Sequence, residues 1–151
     1  MAQENYEIQV YGSPTMTRGM TMIELHSNFT FSGEKNVVKD VRPSWHAFHE
    51  TLEITHGITE NFELGFYLFT NYSNTYGYHV IGTHLRPRFS APEKWHLPVG
   101  RSLSAEFGYQ RKEYPPETWN IELGPIIDKP WAKFYVSLIP TSGISIKSQK
   151  N

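Results

Sequence analysis

Apolar and polar residues alternate at every second position over most of this chain, and that pattern restricts the fold more than any other feature. A period of two marks β-strands with two unlike faces. In 62–71, Phe62, Leu64, Phe66 and Leu68 oppose Glu63, Gly65, Tyr67, Phe69 and Asn71. In 102–110, Leu103, Ala105, Phe107 and Tyr109 oppose Ser102, Ser104, Glu106, Gly108 and Gln110. The same division recurs in 22–31 (Ile23, Leu25, Phe29, Phe31 against Glu24, His26, Asn28, Thr30) and in 49–55 (Leu52, Ile54 against His49, Thr51, Glu53, Thr55). It appears again in 81–89 (Ile81, Leu85, Pro87, Phe89 against Gly82, His84, Arg86, Arg88) and in 119–125 (Trp119, Ile121, Leu123, Pro125 against Asn120, Glu122, Gly124). Helical spacing is nearly absent, and 10 prolines and 11 glycines are scattered throughout.

With 6–11 and 134–139 added, about eight strands are expected. Turn chemistry separates them at 57–61, 71–77, 91–100, 113–117 and 128–130, and the longest loop is 33–44. This predicts an all-β, antiparallel up-and-down meander occupying 1–151 as a single domain. Pro87 and Pro125, inside strands, predict bulges or edges.

Composition removes several function classes. The apolar runs fall far short of the roughly 20 residues a membrane-spanning helix needs, and mean hydropathy is -0.49. A net charge of -1 gives no general attraction to nucleic acid, so no nucleic-acid partner is expected. The absence of cysteine removes disulfides, thiolate metal sites and cysteine nucleophiles. No signal peptide opens the chain; removal of one is the expectation, with Met1 added before Ala2.

The two faces must then be matched to their solvents. A soluble barrel turns its apolar face inward, whereas an outer-membrane barrel turns it to lipid and fills its interior with polar side chains. The polar face is rich in carboxylate, histidine and arginine, and lysine sits mainly in loops. This predicts an interior polar network of Glu24, His26, His49, Glu53, Glu63, His84, Arg86, Arg88, Glu106 and Glu122, with Glu7 beside it. Guanidinium opposite carboxylate suits such paired, desolvated contacts. The lipid-facing set is Leu52, Ile54, Phe62, Leu64, Phe66, Leu68, Leu85, Leu103, Phe107, Trp119 and Ile121. Aromatics including Tyr6, Phe31, Phe62, Phe89, Tyr109 and Trp119 bound it, as interfacial girdles do.

A resemblance adds to this reading. Residues 6–12 (YEIQVYG), 24–28 (ELHSN), 49–59 (HETLEITHGIT), 62–67 (FELGFY), 84–88 (HLRPR), 95–100 (WHLPVG), 106–111 (EFGYQR) and 122–129 (ELGPIIDK) resemble a family of uncharacterised bacterial outer-membrane proteins. That family is similar to the outer-membrane proteins of phenol-degradation pathways, and the resemblance covers roughly 5–140. It implies a mature outer-membrane-type barrel involved in passage or binding of small hydrophobic or aromatic compounds. Members run on for several more strands, whereas here the sequence ends in a polar Ser148-Gln149-Lys150-Asn151. A barrel of about eight strands would have its interior filled by side chains.

Rival chemistries are weaker. His46, His49, Glu50, Glu53 and His56 lie close in sequence, but not as the helical His-Glu-x-x-His motif, and strand geometry divides them between faces. No metal and no cofactor is therefore assigned. Glu53, Glu63, Glu106 and Glu122 could imitate paired acids, and Ser104 with His84 a nucleophile and base, but nothing fixes such a pair, so no enzymatic activity is expected. The alternative from another class is a soluble calycin-like barrel in which Phe62, Leu64, Phe66, Leu103 and Phe107 line a small apolar cavity. Its usual Gly-x-Trp is missing: Trp45, Trp95, Trp119 and Trp131 follow Pro43, Glu93, Glu117 and Lys129 at that spacing.

Overall fold

The computed structural model describes residues 12–114 and 118–146. The expected strand at 6–11 with Tyr6 and Glu7, the prolines 115 and 116, and the end 148–151 lie outside the described residues.

One antiparallel sheet accounts for the fold. Its strands are β1 (Thr21–Thr30), β2 (Ala47–Thr59), β3 (Phe62–Ser73), β4 (Gly77–Ser90), β5 (Gly100–Gln110), β6 (Trp119–Trp131), β7 (Phe134–Leu138) and β8 (Ser142–Ile146). They pair in chain order from β1 to β7, and β8 pairs with β6. The antiparallel up-and-down meander is thus as expected; its count of eight includes β8, which was not expected, while the expected strand at 6–11 lies outside the described residues, among which β1 and the β7–β8 side are open edges.

Each strand forms where alternation is cleanest and stops where turn chemistry begins. Glu60 and Asn61 join β2 to β3 at what we call the lower end. At the upper end β3 and β4 meet through 74–76, closed by Gly77 at φ 73. That left-handed conformation favours glycine and suits a three-residue hairpin loop. The turn is shorter than the expected 71–77, because Asn71–Ser73 continue the β3 ladder against His79–Gly77.

The prolines act differently from expectation. Neither Pro87 nor Pro125 shifts a register. The β4–β5 ladder passes from Leu85↔Phe107 to Arg88↔Ser104 in step, skipping Arg86 and Pro87. Likewise β7 and β8 keep one common register against β6, from Trp131↔Phe134 to Trp119↔Ile146. They are two halves of one strand, interrupted where Pro140 would face Pro125. Proline lacks the N–H a ladder needs, so two opposed prolines erase the pairing without displacing the chain. The turn expected at 128–130 is instead strand, since Asp128, Lys129 and Pro130 pair with Ser137, Val136 and Tyr135.

One residue changes face. Ile81, expected on the apolar side, is fully buried. The β3–β4 register slips between Phe69↔Gly82 and Thr70↔Val80, leaving Ile81 as the unpaired extra residue of a bulge. The bulge turns Ile81 inward to form a small apolar cluster with Tyr67 and Phe69, against which Tyr114 packs. Truncation of Ile81 to alanine is expected to cost about 2–5 kcal/mol, the range for an emptied aliphatic core position. Chemical denaturation of both proteins checks this; a loss within error would mean that the cluster carries no stability.

Candidate functional site: a buried charged face

The inward face of the sheet is polar and buried, and the outward face is apolar and exposed. This inversion organises everything that follows. Arg86, Glu53 and Glu63 are among the largest fully buried side chains, at 1%, 0% and 1% exposure.

Antiparallel register builds the central network. Glu63 stands opposite Arg88, and Gly65 opposite Arg86, on β3 and β4. Gly65 provides the space for the guanidinium: a Cβ there would lie 3.3 Å from Arg86 Nε. Arg86 Nη2 thereby reaches Glu53 Oε1 at 2.8 Å and Glu63 Oε1 at 3.6 Å, and Arg88 Nη2 reaches Glu63 Oε1 at 2.8 Å. Tyr67 Oη and Thr55 Oγ1 donate to Glu53 Oε1 at 2.8 and 2.9 Å. His26 Nε2 lies 3.6 Å from Glu53 Oε2. Two buried carboxylates thus meet two guanidinium groups and two hydroxyls, which is how buried charge escapes an unfavourable desolvation cost.

The remaining predicted network residues form separate groups. His84 pairs with Glu106 and approaches Gln110 Nε2 at 3.3 Å. His49 meets Asn71 Nδ2 at 3.2 Å and Thr30 Oγ1 at 3.3 Å. Glu24 faces Glu53 across the β1–β2 ladder, and Glu122 faces Glu106 across β5–β6. Glu24, His26 and Glu53 offer donor atoms within 4.8 Å of one another, a spacing compatible with a cation. Since Glu53 is already engaged by Arg86, that group is read as part of the ion network. Sequence reasoning missed Tyr67 and Thr55 as network members, and also Asp128; each sits at the correct alternation parity, which was the available signal.

A segment at the lower end completes the site. Residues 12–20 cross the inward face from β6 to β2. Ser13 donates its N–H and hydroxyl to Asp128, Arg88 donates to the carbonyls of Gly12 (2.9 Å) and Pro14 (3.0 Å), and Met16 N–H donates to Glu63 Oε2. Gly19 N–H then bonds Gly57 O at 2.7 Å.

At the upper end, Arg42 of the 31–46 loop spans to the loop after β5. Its N–H bonds Glu113 O at 2.7 Å, its guanidinium bonds Tyr114 Oη at 3.2 Å, and it lies over the Tyr76 ring at 4.9 Å. Burial alone would raise the Glu113 carboxyl. The hydrogen bonds from Arg111, at 3.2 and 3.4 Å, with the charges of Arg111 and Arg42, outweigh it and hold Glu113 below the ordinary carboxylate range. A lowered folded value contributes stability above the unfolded value, lost as pH falls through the folded one. Protection of the amides in 111–114, measured against their intrinsic exchange rates at each pH, is therefore expected to fall on acidification through that range, and Glu113→Gln to flatten the dependence; an equally steep profile in the variant would refute the assignment.

The outward face carries all eleven residues predicted to meet lipid. Leu52, Ile54, Phe62, Leu64 and Leu68 are partly covered by neighbours, and the other six are exposed. The soluble alternative would place Phe62, Leu64, Phe66, Leu103 and Phe107 around a cavity. Phe66, Leu103 and Phe107 project outward at 41%, 51% and 48% exposure, because charged side chains occupy the inward positions.

Register aligns the outward residues into rows. The middle row, Ile23, Ile54, Phe66, Leu85, Phe107, Ile121 and Ile144, is apolar across seven strands. Above it runs an aromatic row of Phe29, Phe48, Tyr72 and Tyr78, with Tyr109 against Trp119 further round. Below it lie Phe62 stacked on Phe89 at 4.3 Å and Trp131 opposite Phe134. No family model, curated protein or solved structure matches the chain.

Proposed function

We propose that this chain forms the wall of a bacterial outer-membrane-type β-barrel, with lipid against the outward face and the charged face as its interior. The observation that carries this reading is the inverted burial combined with two aromatic girdles. From Phe62 to Tyr72 on β3 is ten residues, about 34 Å of strand. Tilted by roughly 40°, that spans about 25 Å, the height of a barrel's apolar band. Among the described residues no helix is long and apolar enough to cross a membrane. A soluble protein exposing some thirty large apolar side chains would aggregate.

Orientation follows from the ends. The longest loop, 31–46, lies at the upper end with the β5–β6 loop and the short β3–β4 turn, and the lower end carries the short β2–β3 and β6–β7 turns with the β4–β5 loop at 91–99. Outer-membrane barrels keep short turns on the periplasmic side, and with the longest loop at the opposite end we assign the lower end to the periplasm. The activity is porin-like, concerned with passage or binding of small solutes including hydrophobic or aromatic ones, and involves no catalysis; the sequence resemblance points the same way.

Refolding from denaturant, in parallel into buffer and into detergent micelles, tests this. Folding only with detergent, with a mobility difference between unboiled and boiled samples, is the expected result. A monodisperse, cooperatively melting protein in buffer alone would overturn it.

A further inference from the structure

We propose that residues 12–20 act as a displaceable strap across the periplasmic mouth, and that its displacement opens the interior to small cations. The inference rests on the barrel reading above.

The strap is seated by features with no other evident purpose. A Cβ on Gly100 would collide with both Ser13 Oγ and Asp128 Oδ1, the two partners of the latch. A Cβ on Gly57 would collide with the carbonyls of Met16 and Thr17. Two strands from different parts of the sheet thus lack side chains at the two points where the strap crosses closest. Between these points Arg88 serves both structures: its Nη2 meets Glu63 and donates to the Pro14 carbonyl, and its Nη1 donates to the Gly12 carbonyl. The strap also forms one wall of a cleft of about 460 Å³, whose other wall is the β4–β5 loop near Ala91, His96 and Val99. That open space gives the strap room to move into.

The strap is held by these hydrogen bonds and, apart from Ser13, its residues are half-buried or exposed, so it opens at lower cost than the sheet. Behind it stand the inward carboxylates Glu24, Glu53, Glu63, Glu106, Glu122 and Asp128, against the guanidinium groups of Arg86 and Arg88. An excess of carboxylate in a confined passage favours cations over anions.

The chain has no cysteine, so a pair can be introduced cleanly. The chain carrying Thr15→Cys and Ser90→Cys, positions on the strap and β4 whose hydroxyl oxygens lie 3.0 Å apart, so that a disulfide can join them, is reconstituted in planar bilayers under a KCl gradient. Oxidised, it should stay closed; reduced, it should conduct severalfold more, with a reversal potential favouring K⁺. Asp128→Asn, which weakens the latch without adding bulk, should conduct without reductant. A double variant that conducts no more when reduced than when oxidised, together with an Asp128→Asn variant that conducts no more than the native chain, both keeping the boiling-dependent mobility shift, would overturn the strap proposal. If the native chain itself shows no such shift, the barrel reading fails instead.

Discussion

Arg86→Met is expected to destabilise the folded protein by about 3–5 kcal/mol, since removing one partner of a buried ion pair strands the other. Methionine keeps much of the aliphatic stem, so the loss reports charge rather than volume. Glu53, at 0% exposure, would lose the guanidinium that lies 2.8 Å from it, while Glu63 would keep Arg88. Adding Glu53→Gln in the same chain should recover part of the loss, because neither member then carries an unpaired charge. Urea unfolding in detergent, followed by tryptophan fluorescence, measures both. A cost below about 0.5 kcal/mol, the scale of an ordinary surface substitution, would mean that water reaches Arg86.

Phe107→Arg is expected to have an effect of similar size for the opposite reason. Phe107 is 48% exposed and lies in the middle apolar row. In water, arginine at an exposed position is nearly neutral; at a bilayer midplane it costs about 2–4 kcal/mol, falling to about 0–1 near the interfaces. Tyr78→Arg, in the upper aromatic row and 60% exposed, is therefore the paired control. Folding titrations into lipid vesicles should separate the two by about 2 kcal/mol or more. Equal effects at the two positions would contradict a membrane around this face.

How far the fold was legible follows the reach of each signal. Alternation is local, so the strands containing Glu53, Glu63, Arg86 and Glu106 were readable, as was the side on which each would fall. Ile81 was misread because a bulge depends on two strands at once, and no residue in 77–90 announces it alone. β8 and the continuation of β6 past Pro125 were hidden by prolines that resemble strand ends; opposed across one ladder, they are only gaps. The strap at 12–20 carries no alternation, and its bonds reach as far as Asp128, 115 residues away. Pairings such as Arg86 with Glu53 needed the register, which two-residue periodicity leaves open. Which face would meet water was undecidable from pattern, since both solvents permit the same alternation.

The collinearity of β7 and β8 has a further consequence for parity. Counted as one strand, they make seven positions across the sheet, so the two open margins, β1 and β7–β8, run in the same direction. A neighbour laid antiparallel on one margin runs the right way for the other as well. Where every pair at the seam is antiparallel, it therefore accepts an odd number of strands, and a wall closed in that way on this sheet has an even total. Even totals are the habit of bacterial outer-membrane barrels, and here the requirement comes from direction alone, independent of side-chain chemistry.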